Sequence, residues 1–278
     1  MRRLSELPLG LYEKAMCFSL TWEEKMRLAA QSGYDYLEIN IDGTPERLKR
    51  LESAECAWEL YDASRKTGIP VYTFAFTANR MFPLGSEDDD KRNRGIELLK
   101  KAIVFAGRAG IRVIHIAAYD ELDGQDNENT KWLFQKSVRE CVAYAAHFGV
   151  ILAFETMDTE FMDSVAKVME YVRMIGSPYL QVYADVANIT AAGYDPAIDM
   201  AAGGRHIVGM HLKDSKEKAI RDIAFGTGDV DFDACFRALS QMNYQGFFTA
   251  EMWCYDDPQF HSYLKEANVF LREKLAKY

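Results

Sequence analysis

The chain has 278 residues and a formal net charge of −9, with 49% hydrophobic and 27% charged residues. This composition excludes wholesale disorder, and the acidic balance argues against an extended nucleic-acid interface. No apolar run reaches the length of a membrane span, and the N-terminus lacks a signal-peptide pattern. Five cysteines without a CxxC motif argue against a disulfide framework. We therefore expect a cytoplasmic protein that binds neither nucleic acid nor membranes.

Short apolar runs alternate with longer amphipathic segments along the chain. The predicted strands are 8–12, 34–41, 71–77, 113–118, 150–154, 180–184, 207–210 and 246–250. The predicted helices are 22–31, 45–66, 90–109, 130–147, 163–175, 196–202, 232–241 and 258–277. The strands are near-continuous apolar runs, which is typical of parallel strands that are covered by helices on both faces.

Eight strand–helix units in series, with no linker between them, predict an α/β fold. The specific prediction is a single (β/α)8 TIM barrel that takes up residues 1–278 as one domain. A doubly wound open sheet is the alternative, but the first strand–helix turn lacks a G-x-G-x-x-G motif. Three long connections, 78–89, 119–129 and 212–231, follow strands and therefore belong to the face where barrel active sites lie.

Four consecutive predicted strands end in a side chain that binds hard metal ions. These residues are Glu155, Asp185, His211 and Glu251, at intervals of 30, 26 and 40 residues. Adjacent barrel strands lie about 5 Å apart, so the four groups can converge on one rim. One strand-end carboxylate alone is commonly a helix cap, but clustered carboxylates repel one another unless a cation is present. The pattern predicts one divalent metal ion, and Mn, Mg, Co or Zn would suit these ligands.

The quartet in a barrel resembles the xylose-isomerase-like superfamily and, within it, the ketose 3-epimerases. Finer stretches resemble the L-ribulose-5-phosphate 3-epimerase family, also described as L-xylulose-5-phosphate 3-epimerases, over essentially the whole chain. These stretches are PLGLYEKA at 8–15, FPLGSED at 82–88, FETMD at 154–158, HLKD at 211–214, FGTGDVDF at 225–232 and AEMW at 250–253. EKA and FPLGSED are the specific ones, whereas HxKD and the glycine-rich loop occur across the superfamily.

The resemblance implies a metal-dependent 3-epimerase that interconverts L-ribulose 5-phosphate and L-xylulose 5-phosphate through a cis-enediolate. Glu155 and Glu251 would exchange protons on opposite faces of C3 while also binding the metal. Asp185 and His211 would be ligands only, and the second ring nitrogen of His211 would need a hydrogen-bond acceptor. The partner would be a small sugar phosphate, and we expect a homo-oligomer, taken to be a dimer.

A phosphorylated substrate needs an anion site. The resemblance points to the N-terminal loops, where Lys14 could supply a charge and Ser86 could start a short helix whose N–H groups face the anion. Ser86 could also form a capping box with Asp89. The rival site is the glycine-rich turn 226–228, for which a plain turn before an Asp231 helix cap is the simpler interpretation.

The free-ketose 3-epimerases share the quartet but differ at two substrate contacts. They carry a His three residues after the Asp ligand and an Arg six after the His ligand, where this chain has Asn188 and Glu217. This difference favours the phosphorylated substrate. Asn188 and Lys213 complete the candidate substrate-binding residues, although Lys213 could equally be a packing residue. His115 is interpreted as a core histidine rather than as a substrate contact.

Other functions on a barrel stay open as alternatives. A free-ketose 3-epimerase or a sugar isomerase would use a similar barrel, although the isomerase typically needs a second metal site. An endonuclease-IV-like hydrolase would need more histidine ligands and a basic face than this chain provides. A non-enzymatic sugar-binding barrel would not need two opposed carboxylates around a metal.

Overall fold

A closed parallel β-barrel forms the centre of the molecule. The computed structural model describes residues 2–121, 127–217, 219–253 and 257–278, so Cys254 and part of the predicted 119–129 connection lie outside the described residues. Within these ranges eight parallel strands pair in chain order, and the first also pairs with the last. The strands are β1 (Leu9–Tyr12), β2 (Tyr36–Ile41), β3 (Val71–Phe76), β4 (Val113–Ala117), β5 (Ile151–Glu155), β6 (Leu180–Asp185), β7 (Ile207–Leu212) and β8 (Phe247–Ala250). The prediction of a (β/α)8 barrel is confirmed.

Helices follow the strands and pack on the outside of the barrel. The α-helices of the described segments are α1 (Trp22–Gln31), α2 (Pro45–Leu48), α3 (Ala54–Thr67), α4 (Asp89–Ala109), α5 (Glu128–His147), α6 (Val165–Ile175), α7 (Val186–Ala191), α8 (Pro196–Asp199), α9 (Phe232–Gln241) and α10 (Phe260–Leu275). Most lie within two residues of a predicted helix, because the apolar faces that define them are buried against the barrel. Within the same segments, no helix has both the length and the apolar character that a membrane crossing requires.

The predicted helix 45–66 is interrupted in the structure. α2 continues into a 3-10 turn, Lys49–Leu51, and α3 starts only at residue 54. The interruption accompanies an ion cluster in which Arg47 and Arg50 both contact Glu13, a carboxylate with no exposed surface. Residues three apart lie on one face of a helical turn, so Arg47 at the end of α2 and Arg50 in the 3-10 turn can both reach one carboxylate.

The start of α4 corrects the interpretation of Ser86. The helix begins at Asp89, and the Asp88 carboxylate caps it by accepting the N–H groups of Asp90 and Lys91. Ser86 lies in the preceding turn, so it neither opens a helix nor forms a capping box, and both expectations are wrong. The acidic Asp88 is the better cap because a carboxylate also complements the positive end of the helix dipole.

The barrel interior is polar towards its carboxyl-terminal rim. Glu38, in the middle of β2, reaches across the barrel to hydrogen-bond with Tyr183 of β6 and Thr249 of β8. Lower in the barrel, the Tyr36 ring fills the space beside Gly10, where an added Cβ would lie 2.2 Å from that ring. The apolar core therefore lies mainly between barrel and helices, and the interior is left for polar groups.

Candidate metal centre and active-site cavity

Four strand ends bring potential metal donors to one point of the barrel rim. Glu155 ends β5, Asp185 ends β6, His211 lies in β7 and Glu251 directly follows β8. One ligand atom from each residue lies within 4.8 Å of the other three, and all four side chains are buried. We call Glu155, Asp185, His211 and Glu251 the four-donor centre.

The distances within the four-donor centre are those of groups that share a ligand. His211 Nδ1 lies 2.8 Å from Glu155 Oε1, 3.3 Å from Glu251 Oε2 and 3.9 Å from Asp185 Oδ2. The pairing of β6 with β7 places Asp185 directly beside His211. The strand register therefore produces the convergence that the spacing of the four residues predicts.

A short helix orients Asp185 towards the centre. The Oδ1 atom of Asp185 caps α7, where it accepts the N–H groups of Ala187 and Asn188 at 2.8 and 3.1 Å. This leaves Oδ2 directed at the other donors. The sequence analysis did not predict α7, because six residues are too few to show a helical period.

The side chains of the four-donor centre are suited to holding a cation. Burial raises the pKa of the Asp185 carboxyl to about 6, although Lys213 opposes this shift. Burial also opposes ionisation of Glu251, but Lys213 and His211 hold its pKa well below the usual range. Three buried carboxylates and one imidazole form an oxygen-rich donor set that fits a divalent metal ion. The residues present therefore fit the predicted cofactor, while the donor set does not distinguish one metal from another.

Two of the predicted substrate contacts lie beside the four-donor centre. Lys213 and Asn188 form one hydrogen-bonded group there. Lys213 Nζ lies 2.7 Å from Asp185 Oδ2, 2.9 Å from Glu251 Oε2 and 3.1 Å from Asn188 Oδ1. Asn188 is held in turn by the Thr156 carbonyl at 2.8 Å. The Lys213 ammonium group thus supplies positive charge next to the donors, and Lys213 is more than a packing residue.

A cavity of about 310 Å³ opens above the four-donor centre and carries several cations. Glu155, Glu251 and Lys213 line it, together with Lys14, whose ammonium group pairs with Asp42 at 2.7 Å. Arg80 and Arg221 line the same cavity. Ser86 is buried and is not among the lining residues in the described part of the chain. Glu217 is exposed and is not among them either.

The glycine-rich turn 226–228 is closed to an anion. The buried Asp214 carboxylate accepts the N–H groups of Gly226 and Gly228 through Oδ2, at 2.9 and 3.0 Å, and that of Val230 through Oδ1. Asp231 caps α9, as predicted. Because Asp214 occupies the N–H groups that would hold a phosphate, the rival phosphate site is wrong. The role of Asp214 could not be assigned from the sequence, since its partners lie 12 to 16 residues away.

Glu38 was not predicted from the sequence, and His115 is buried, as expected of a core histidine. Glu38 Oε1 lies 2.6 Å from His211 Nε2, and so provides the acceptor that the second ring nitrogen was predicted to need. His115 is fully buried and lies 3.4 Å from both Glu38 and Glu155. A charged residue in the middle of the apolar run YLEINI was the available signal, because a parallel barrel strand otherwise carries apolar residues there.

Comparison with known proteins gives close relatives over the whole chain. Residues 26–274 match the model of the xylose isomerase-like TIM barrel family. The L-ribulose-5-phosphate 3-epimerase UlaE of Salmonella paratyphi A is 38% identical over 273 residues, which cover 98% of this chain and 96% of that protein. The protein of the same name from Escherichia coli strain SE11 shows the same identity and coverage.

Solved structures show the same fold at lower sequence identity. A D-allulose 3-epimerase from Methylomonas sp. superimposes with a TM-score of 0.80 at 18% identity, covering 99% of both chains. A structure of L-ribulose 3-epimerase gives a TM-score of 0.80 at 17% identity, covering 98% of this chain and 95% of that chain. These likenesses establish the barrel architecture independently of the close relatives.

Proposed function

Because the chain belongs to the xylose isomerase-like TIM barrel family and, within it, to the L-ribulose-5-phosphate 3-epimerases, we propose that it interconverts L-ribulose 5-phosphate and L-xylulose 5-phosphate. This activity places it among the isomerases, in the racemase and epimerase class. The observation that carries the proposal is the convergence of the four-donor centre at the floor of a cation-lined cavity.

We assign the proton transfers at C3 to Glu155 and Glu251. One carboxylate removes the C3 proton, and the other delivers a proton to the opposite face, which inverts the carbon. The roles of the two carboxylates are exchanged in the reverse reaction. Both residues line the cavity, so both are accessible to a bound sugar.

The four-donor centre would hold one divalent ion, for which Mn, Mg, Co and Zn are candidates, and this ion would act as a Lewis acid towards the ketose oxygens. Asp185 and His211 serve as ligands only. Lys213, fixed by Asn188, places a positive charge where negative charge develops on the substrate during proton removal. A barrel rim buried this deeply also limits access of water to the reacting carbon.

We assign the substrate phosphate to the cations of the cavity wall, with Lys14 as the principal contact. Lys14 is balanced by Asp42, and Arg80 is held at 3.5 Å from Asp158. Arg221 lies over the Trp253 ring at 5.2 Å. These groups can supply charge-assisted hydrogen bonds to a phosphate. Since Ser86 does not reach the cavity wall, the proposal leaves it out of the anion site.

Solvent deuterium incorporation at C3 tests the proposal. The purified protein, loaded with Mn²⁺, is incubated with L-ribulose 5-phosphate in D₂O and followed by NMR, with free L-ribulose alongside. We expect label at C3 and formation of L-xylulose 5-phosphate, both abolished by a chelator. Label in the free sugar alone would reassign the protein to the free-ketose 3-epimerases, and no label in either sugar would contradict 3-epimerase activity.

A further inference from the structure

Four buried side chains form a closed ring that includes half of the four-donor centre. Glu155 Oε1 lies 2.8 Å from His211 Nδ1, and His211 Nε2 lies 2.6 Å from Glu38 Oε1. The other half is longer: Glu38 Oε2 lies 3.4 Å from His115 Nε2, and His115 Nδ1 lies 3.4 Å from Glu155 Oε2. Each carboxylate therefore faces both imidazoles, with one oxygen for each. We call these four residues the carboxylate–imidazole ring.

Two members of the ring, Glu38 and His115, have no assigned role in the reaction. Both are fully buried, and neither lines the cavity in the described part of the chain. Burying a carboxylate is costly unless donors surround it, and Glu38 has them. Besides His211, the Tyr183 hydroxyl donates to Glu38 at 2.8 Å, and the Thr249 hydroxyl lies 3.3 Å away. The environment of Glu38 is thus built to hold an ionised carboxylate in one place.

The ring dictates which nitrogen of His211 faces the metal donors. An ionised carboxylate only accepts hydrogen bonds, so His211 Nε2 must carry a proton towards Glu38. Nδ1 faces Glu155, Asp185 and Glu251, so in a neutral imidazole that binds an ion at the four-donor centre, Nδ1 would offer the lone pair and Nε2 would keep the proton. A carboxylate behind a metal-binding histidine fixes the tautomer and orientation of the ring in this way.

We propose that Glu38 is a positioning residue, which fixes the tautomer and direction of His211 and, through His115, the position of the second oxygen of Glu155. His115 is suited to the second part because its ring stacks on Tyr183, with centroids 4.3 Å apart and planes at 24°. Tyr183 is bonded to Glu38 in turn. The inference rests on the proposed metal-binding role of the four-donor centre.

A second metal ion is the competing use of the same residues. Glu38, His115 and His211 each offer one ligand atom, and these atoms lie within 4.8 Å of one another. Positioning is favoured because Glu38 is already in hydrogen-bond contact with His211 and Tyr183. The number of metal ions bound per chain distinguishes the two uses.

The test compares two substitutions of buried side chains. Glu38→Gln replaces an acceptor-only group by an amide, which either donates to His211 and selects the opposite tautomer or leaves Tyr183 facing a donor. Tyr34→Phe is the matched control: its hydroxyl is also buried and donates to Leu264 O, outside the ring and its hydrogen-bond partners. We expect Co²⁺ affinity, measured by competition with a chelator, to fall by roughly 10- to 100-fold in Glu38→Gln. Tyr34→Phe should change it by less than about threefold.

A spectroscopic readout covers the case in which Glu38→Gln does not fold. In the Zn²⁺-loaded wild-type protein, ¹⁵N-labelled histidine should show His211 with its proton on Nε2. A proton on Nδ1 would overturn the proposal, as would unchanged Co²⁺ affinity in Glu38→Gln or a stoichiometry of two ions per wild-type chain. None of these measurements uses turnover, so a failure of the 3-epimerase assignment would be recognised separately.

Discussion

Glu155 and Glu251 share the four-donor centre, but the proposed chemistry gives them separate faces of the substrate. Replacing either by Gln should lower epimerisation by about 10²- to 10⁴-fold, the usual contribution of a general acid or base. The epimer whose C3 proton faces the remaining carboxylate should still exchange that proton with D₂O. The diagnostic result is exchange of the C3 proton without inversion of C3, and NMR measures it for each epimer in turn.

The matched control is Asp185→Asn, which removes a ligand that has no proton-transfer role. It should lower exchange from both epimers to a similar extent, because the change at this ligand favours neither carboxylate over the other. If Glu155→Gln and Glu251→Gln likewise lowered exchange from both epimers equally while metal was still bound, the assignment of the two carboxylates to opposite faces would be wrong.

A substitution at Lys14 tests phosphate binding separately from the chemistry at C3. Lys14→Met should raise the KM for L-ribulose 5-phosphate roughly 10- to 100-fold, the value of one lost charge-assisted hydrogen bond. The kcat should change little, since Lys14 is assigned to the phosphate and not to C3. Ser86→Ala serves as the comparison in steady-state kinetics, and an effect on KM there as large as that of Lys14→Met would restore Ser86 to the anion site.

The Asp214 carboxylate holds the loop that follows β7 in place through three backbone N–H groups. Asp214→Ala removes the acceptor of the N–H groups of Gly226, Gly228 and Val230, and a hydrogen bond to a charged group contributes about 1.5–3 kcal/mol. We expect a loss of at least about 3 kcal/mol in the free energy of unfolding, measured with urea. Asp231→Ala, which removes one helix cap, should cost about 1 kcal/mol. Equal losses in the two variants would contradict this role of Asp214.

At the scale of helices and strands, the sequence predicts the barrel well. Apolar runs indicate buried strands, and amphipathic periodicity indicates the helices that pack against them. Glu155 and Asp185 were found because each ends such a run. Glu38 was not, since its function depends on partners up to 211 residues away in sequence. Ser86 was wrongly expected to cap a helix for a local reason: Ser86 and Asp88 both suit a cap, and only the folded chain selects Asp88.

At the scale of the whole molecule, the buried ion cluster at Glu13 makes stability depend on pH. Burial opposes ionisation of Glu13, but Arg50, Lys25 and Arg47 together lower its pKa below the usual 4.5. A carboxyl whose pKa is lowered on folding contributes stability above its unfolded pKa, and this contribution is lost as the pH falls through the folded value. The free energy of unfolding of the wild-type protein, measured with urea, should therefore decrease as the pH falls below about 4.5.

Glu13→Gln provides the control for that pH dependence. The variant should lose about 3–5 kcal/mol at neutral pH, because buried cations are left without their counter-ion. As the pH falls below 4.5, the free energy of unfolding of this variant should also decrease less steeply than that of the wild-type protein. Parallel pH profiles for the two proteins would show that Glu13 is not the titrating group.

Metal binding should stabilise the folded barrel as a whole. A ligand at 100 times its Kd adds about 2.7 kcal/mol to the free energy of unfolding, provided that it binds only the folded state. We expect the Tm to rise on adding Mn²⁺ and to fall with a chelator. His211→Asn should remove most of this response, and a variant that kept the full shift would place the metal elsewhere.

The assembly and domain organisation remain predictions. We infer one domain because β1 pairs with β8, so the barrel uses both ends of the chain. The expected homodimer would cover some of the large exposed side chains, such as Trp58, Trp132 and Ile198. Sedimentation equilibrium tests it, and a monomer at all concentrations would exclude it.

The carboxylate–imidazole ring also has a consequence for the order of folding. Its members come from β2, β4, β5 and β7, and the hydroxyl that completes the surroundings of Glu38 comes from β8. No contiguous part of the chain much shorter than the barrel contains all of these strands, so the donors acquire their final positions only when the sheet closes. Contacts of such long sequence separation form late in folding. The acquisition of metal affinity during refolding should therefore follow helix formation and report on barrel closure.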